Sequence, residues 1–193
     1  MYEYIKGTIH EITPANVIID SGGMGYHILI SVHTFSLLKE KKETLLYLHQ
    51  VVREDAHLLY GFAEKQEREI FRLLISVSGI GAGTALLVLS SLTPVEVSRA
   101  IASENVTLLR NIKGIGTKTA QRIIVDLKDK VGRIAGKDEF LVPADNTILD
   151  EALSALVTLG FGKAGVNKVV EKILSENPEW PLEDIIKEAL KHL

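Results

Sequence analysis

"GIGTKTAQR", residues 114–122, sets two glycines one residue apart and follows them with a stretch of helical character bearing a lysine and an arginine. Nearly the same phrase stands earlier as "GIGAGTALL", residues 79–87, an offset of 35 positions (114 less 79). A turn entering a helix leaves main-chain N–H groups unpaired and carries the positive end of the helix dipole, so it is suited to receive a phosphate oxygen. Glycine serves there because positive φ is open to it and because no Cβ holds a ligand off the backbone. The central isoleucines, Ile80 and Ile115, are suited to point inward and pin each turn between two helices. Nucleotide loops of similar look fail on spacing. A dinucleotide fingerprint needs a preceding strand and glycine or alanine at 84, where Thr84 stands; a Walker A loop needs glycine at 112 and 117, where Ile112 and Thr117 stand.

Around the second phrase the charge changes sign. The chain of 193 residues has a formal net charge of −3, which argues against a polyanion binder until it is divided. Residues 1–63 carry 5 Lys/Arg against 7 Asp/Glu, residues 64–137 carry 12 against 7, and residues 138–193 carry 5 against 11. A basic middle between acidic flanks is the pattern of a nucleic-acid-binding segment set in a non-binding scaffold. The absence of cysteine excludes disulfides, thiolate metal sites and cysteine nucleophiles and fits a reducing cytoplasm. "MYEYIKGTIH" lacks the pattern of an export leader, and no segment reaches about 18 uninterrupted apolar residues. A cytoplasmic protein is expected.

Upstream, "EYIKGTIHEI", "NVIIDSG", "GYHILISV", "TLLYLHQVV" and "AHLLYGF" are short β-branched or aromatic runs separated by turns, with one helical turn in "HTFSLLKE". Five strands in about sixty residues are enough to close a small Greek-key barrel of the OB type. An SH3-like barrel or an open meander fits the same runs. After Phe62 the period becomes helical: Ile70, Phe71, Leu74 and Val77 share a stripe. "TPVEVSRAIA" opens with a capping box of Thr93 and Glu96 with Pro94 at the first helical position, and Asn105 caps the next helix. Residues 132–147 hold no sustained period and read as a flexible linker. Three short amphipathic helices follow, the first ended by Gly160.

Two glycine turns between helices in a basic segment resemble the tandem helix-hairpin-helix motif of DNA-binding proteins. The candidate DNA contacts of the first hairpin are Ser78, Gly79, Gly81, Gly83 and Thr84. Those of the second are Lys113, Gly114, Gly116, Thr117, Lys118, Thr119 and Arg122, with Lys113, Lys118 and Arg122 acting through their side chains. Main-chain amides grip phosphates whatever the base sequence, so the expected specificity is for shape.

The whole chain resembles the RuvA family, the Holliday-junction-binding subunits of the bacterial branch-migration machine. "VVREDAHLLYGF" (51–62) is similar to that family's acidic-pin hairpin, "GIGTKTAQRIIVDLK" (114–128) to its second DNA-binding hairpin and "ALSALVTLGF" (152–161) to the start of its tail domain. The resemblance implies an α+β, multidomain fold. Its parts are an OB-type barrel over 1–63, a tandem helix-hairpin-helix domain over 64–131, the linker over 132–147 and a three-helix, UBA-like module over 148–193.

It also implies a homotetramer that holds an open four-way junction for recombination, DNA repair and the SOS response to DNA damage. Arg53, Glu54 and Asp55 would form an acidic pin whose carboxylates push strands apart. The tail would dock the hexameric ATPase RuvB, with Leu156, Leu159, Phe161 and Leu190 as candidates by position, and the resolvase RuvC is admitted as a further partner. No catalytic residue, metal or cofactor is assigned, and no membrane is involved. One departure stands out: the family's first hairpin often carries a basic residue just after its second glycine, where this chain has Ala82 and Gly83. The first hairpin is therefore expected to contribute less than the second to salt-dependent binding.

Two other classes remain open. A junction nuclease or glycosylase needs converging carboxylates or a base pocket, whereas Glu54 and Asp55 are adjacent without a third ligand. The six histidines, His10, His27, His33, His49, His57 and His192, show no metal-ligand spacing. A single-strand or RNA binder needs bases stacked on exposed aromatics, for which Tyr26, Tyr47 and Tyr60 are the candidates on the barrel.

Overall fold

The computed structural model describes residues 2–135 and 145–193. Alternation in the N-terminal runs produces five strands: β1 (Tyr4–Ile12), β2 (Asn16–Ser21), β3 (Met24–Ile30), β4 (Glu43–Val52) and β5 (His57–Phe62). They close a barrel in the order β1-β2-β3-β5-β4. All neighbours are antiparallel except β3 and β5, which pair in parallel at Leu29↔Tyr60 and Ile30↔Gly61. Closure with this crossover selects the OB type over an open meander or an SH3-like barrel, and leaves no free sheet edge. Val17 and Ile19, Ile28 and Ile30, and Leu46 and Leu48 point inward at the two-residue period of a strand. Helix α1 (Val32–Leu38) buries Leu38 in the same core.

The helical region begins with α2 (Lys65–Ile75), followed by α3 (Ala82–Ser91), α4 (Pro94–Ala102), α5 (Val106–Arg110) and α6 (Thr117–Ala135). The capping box at α4 forms as its sequence dictates: Glu96 N–H donates to Thr93 Oγ1 at 3.3 Å, and Thr93 N–H to Glu96 Oε2 at 2.8 Å. Leu108 N–H donates to Asn105 Oδ1 at 2.9 Å at the start of α5.

Barrel and helices share more than a chain connection. Tyr60 and Phe62 of β5 belong to the helical core, where the Phe71 ring lies 5.2 and 4.9 Å from theirs. The change of period at residue 63 thus marks a change of element within a continuous core. Two buried charges on α2 reinforce it. The Glu67 carboxylate accepts from Ser31 Oγ and, at 2.6 Å, from Thr34 Oγ1. Arg68 donates to the Glu3 main-chain oxygen at 2.9 Å and pairs with the Glu3 carboxylate at 2.6 Å. Burial raises the Glu67 pKa above the usual carboxylate range, and the two hydroxyl donors partly offset that rise.

Helix α6 continues to Ala135 and α7 starts at Asp145. Residues 132–135 and 145–147, expected in a linker, are therefore helical; 136–144 lie outside the described residues. Later in the chain comes a separate compact unit of three helices, α7 (Asp145–Thr158), α8 (Lys163–Glu176) and α9 (Leu182–His192). Its core is formed by Ala152, Leu156, Val166, Val170, Ile173, Ile185 and Ala189. Gly160, at φ +101°, ends α7. Phe161 N–H bonds Leu156 C=O at 3.2 Å and Gly160 N–H bonds Val157 C=O at 3.0 Å, the two bonds of a Schellman motif.

Candidate nucleic-acid interface

The 35-residue repeat of the sequence is a repeat of structure. Gly79 and Gly114 have φ of +94° and +89°, a left-handed conformation that turns the chain sharply and favours glycine. Ile80 and Ile115 follow, 5% and 4% exposed, and anchor each corner in the core. Their N–H groups close the turns on Val77 C=O at 3.1 Å and Ile112 C=O at 3.0 Å.

Each corner then enters a helix. The first rung of α3 is Ala85 N–H to Gly81 C=O, and that of α6 is Ala120 N–H to Gly116 C=O, both at 2.9 Å. The amides of Ala82, Gly83 and Thr84, and of Thr117, Lys118 and Thr119, precede those rungs and have no ladder partner. These helix starts lie at the surface. Gly81, Gly83, Gly114 and Gly116 are exposed, and a Cβ built on any of them meets nothing within 4 Å. Internal packing thus does not demand glycine at 81, 83 or 116. What their bare backbones offer is close approach from outside.

The other candidates sit around the same corners. Ser78, Gly79, Lys113, Thr117, Lys118 and Arg122 are exposed, and Thr84 and Thr119 half-buried. Arg122, on the helix of the second hairpin, donates its Nη1–H to Ser78 C=O in the first at 2.9 Å, a link across 44 residues. One arginine side chain thus ties the helix of the second hairpin to the corner of the first. Farther along α6, Lys128 pairs with Glu104 at 2.5 Å. The hydrogen bond from Lys128 holds the Glu104 carboxyl below its ordinary range.

At the opposite end of β5, Arg53 N–H bonds Ala56 C=O at 2.8 Å and closes a tight hairpin between β4 and β5. Arg53, Glu54 and Asp55 are all exposed on its tip. Among the described residues, no group of three His, Cys, Asp or Glu side chains gathers as a metal site would require.

Comparisons with known proteins bear on this arrangement. Family models match the chain in sequence order: the RuvA N terminal domain over 1–61, the SAM-like helix-hairpin-helix tandem over 71–129 and the RuvA C-terminal domain over 147–193. A protein of Christiangramia forsetii named Holliday junction branch migration complex subunit RuvA is 56% identical over the full length of both chains. The chain belongs to the RuvA family. Proteins of the same name from Bacteroides fragilis and Flavobacterium psychrophilum are each 50% identical over 100% of both chains. The RuvA architecture of barrel, paired hairpins and helical tail is the one the motifs had suggested.

The RuvA C-terminal unit corrects one expected docking residue. Leu156 is fully buried in its core and unavailable to a partner. Leu159 and Leu190 are 62% and 42% exposed, and Phe161 is half-buried. On the barrel, the aromatics named for base stacking fare differently. Tyr60 is buried against Phe71, and Tyr47 is half-buried with the Lys65 ammonium and the Arg68 guanidinium over its ring, 5.6 and 5.4 Å from the centroid. Tyr26 shares a cavity of about 320 Å³ with Tyr2, Tyr4 and Lys6. Tyr2 and Tyr4, the latter at the start of β1, were not among the aromatics named for stacking.

Proposed function

We propose that this chain binds four-way DNA junctions by shape and works as the junction-holding subunit of a branch-migration complex with a RuvB-type ATPase. The observation that carries the proposal is the pair of exposed glycine corners, linked by the bond from Arg122 to Ser78. Phosphates of one DNA arm would accept from the main-chain amides at the start of α3 and α6, with Lys113 and Lys118 adding charge. Such contacts carry no base information, so selectivity must come from geometry and from unfavourable contacts.

The acidic tip supplies the latter. Glu54 and Asp55 repel phosphates, so they add no affinity; set at a crossover, they would part strands and disfavour uninterrupted duplex, with Arg53 offsetting part of that repulsion. Cyclic fourfold assembly suits a substrate with four equivalent arms. In the tail, Leu159, Phe161 and Leu190 form the proposed ATPase-docking surface, and RuvC is a further proposed partner. The names of the full-length relatives support junction binding and membership of the complex.

Labelled four-way junction, linear duplex and single strand, each incubated with the protein and Mg²⁺ and resolved on a native gel, test the reading. Intact junction shifted in preference to duplex and single strand is the predicted result. Cut DNA would favour a nuclease, and a preference for single strand would favour a barrel-centred binder.

A further inference from the structure

We propose that Arg122 is the phosphate-binding cation of the first hairpin, supplied to it by the helix of the second; the proposal rests on the reading of the corners as DNA contacts. From Ser78 to Leu92 the first hairpin has no Lys or Arg of its own, whereas the second has Lys113 and Lys118 on either side of its glycines. By sequence, the first corner is therefore uncharged. In space it is not. Arg122 Nη1 lies 2.9 Å from the Ser78 carbonyl oxygen and 3.9 Å from the place a Cβ on Gly79 would occupy.

The chemistry of the corner gives this contact a second consequence. A bare carbonyl at Ser78 would present an acceptor to an approaching phosphate, which is also an acceptor. One N–H of the guanidinium covers that oxygen. A guanidinium has five donors in a planar fork, and Arg122 makes no other hydrogen bond to the described residues, while its side chain is exposed. The remaining donors are free to meet a phosphate oxygen at the Ser78–Gly79 corner. The charge missing after Gly81 is thus restored from elsewhere in the fold. This revises the expectation that the first hairpin contributes less than the second to salt-dependent binding.

A methylphosphonate scan tests the assignment: single phosphates along one arm of a synthetic four-way junction are neutralised in turn, and binding is measured over a range of salt. Wild-type protein should show two groups of sensitive phosphates. Lys118→Ala should abolish the sensitivity of one group. Arg122→Gln, which keeps an N–H donor for Ser78 but removes the charge, should abolish that of the other. It should also lower the slope of log affinity against log salt by about 0.9 per subunit on DNA. Arg122→Lys should recover most of that slope, which guards against misreading a folding defect.

Loss of the same phosphates in Arg122→Gln and Lys118→Ala would overturn the assignment. So would an unchanged slope and pattern in Arg122→Gln, which would make Arg122 a carbonyl clamp alone. A wild-type protein insensitive to every neutralised phosphate would instead overturn the reading of the corners themselves.

Discussion

At Gly83 the chain accepts a local cost. The residue is the second of α3, φ there lies outside the left-handed region, and a Cβ would meet nothing within 4 Å. Glycine within a helix is destabilising by about 0.5–1 kcal/mol relative to alanine. Gly83→Ala is accordingly expected to raise the unfolding free energy by about that amount in thermal melts. The same variant should weaken junction binding, because a methyl group now stands beside the exposed amides. In the tail, neighbouring leucines separate core from the proposed docking surface. Leu156→Ala empties a fully buried site and should destabilise that unit by about 2–5 kcal/mol. Leu159→Ala, at an exposed site, should leave the melt nearly unchanged and reduce capture of a RuvB-type ATPase in a pull-down.

Among the elements, α2 joins the barrel to the hairpin helices, and its Glu67 carboxyl is buried among hydroxyl donors. Burial raises its folded pKa above the ordinary 4.5, so the folded chain holds that proton more tightly than the unfolded one. The associated stability is present in full below the ordinary value and is lost as pH rises through the folded one. Depressed carboxyls such as Glu3, Glu96 and Glu104 act in the opposite sense. A comparison with Glu67→Gln isolates the effect: the stability of wild type relative to the variant, from denaturant midpoints, should fall as pH rises above the ordinary value of 4.5.

Elements were the most legible part of the sequence. Strand alternation, the Thr93–Glu96 box, the Asn105 cap and Gly160 are local signals, and each forms from residues a few positions apart. The glycine corners were readable for the same reason. Contacts across the fold were not. Ser31, Thr34 and Glu67 meet across more than thirty residues, and Arg122 reaches Ser78 across 44. Nothing in a helical arginine's immediate neighbours signals that it serves another hairpin. Leu156 and Leu159 share an apolar run, and only packing separates the buried one from the exposed one.

At the scale of the molecule, shape selection requires attraction at the corners and repulsion at the β4–β5 tip. Neutralising the tip with Glu54→Gln and Asp55→Asn removes only the second. Affinity for linear duplex should then rise relative to junction by about threefold to tenfold, read as a ratio of dissociation constants at one salt concentration. The claim on which the whole account rests is that main-chain amides at both corners are the DNA-gripping groups. Amide hydrogen exchange, followed by mass spectrometry with and without a synthetic four-way junction, tests it most directly. The account predicts slower exchange over both 79–84 and 114–119 when the junction is bound. Unchanged exchange at either corner, with protection confined to the barrel around Tyr2, Tyr4 and Tyr26, would contradict it.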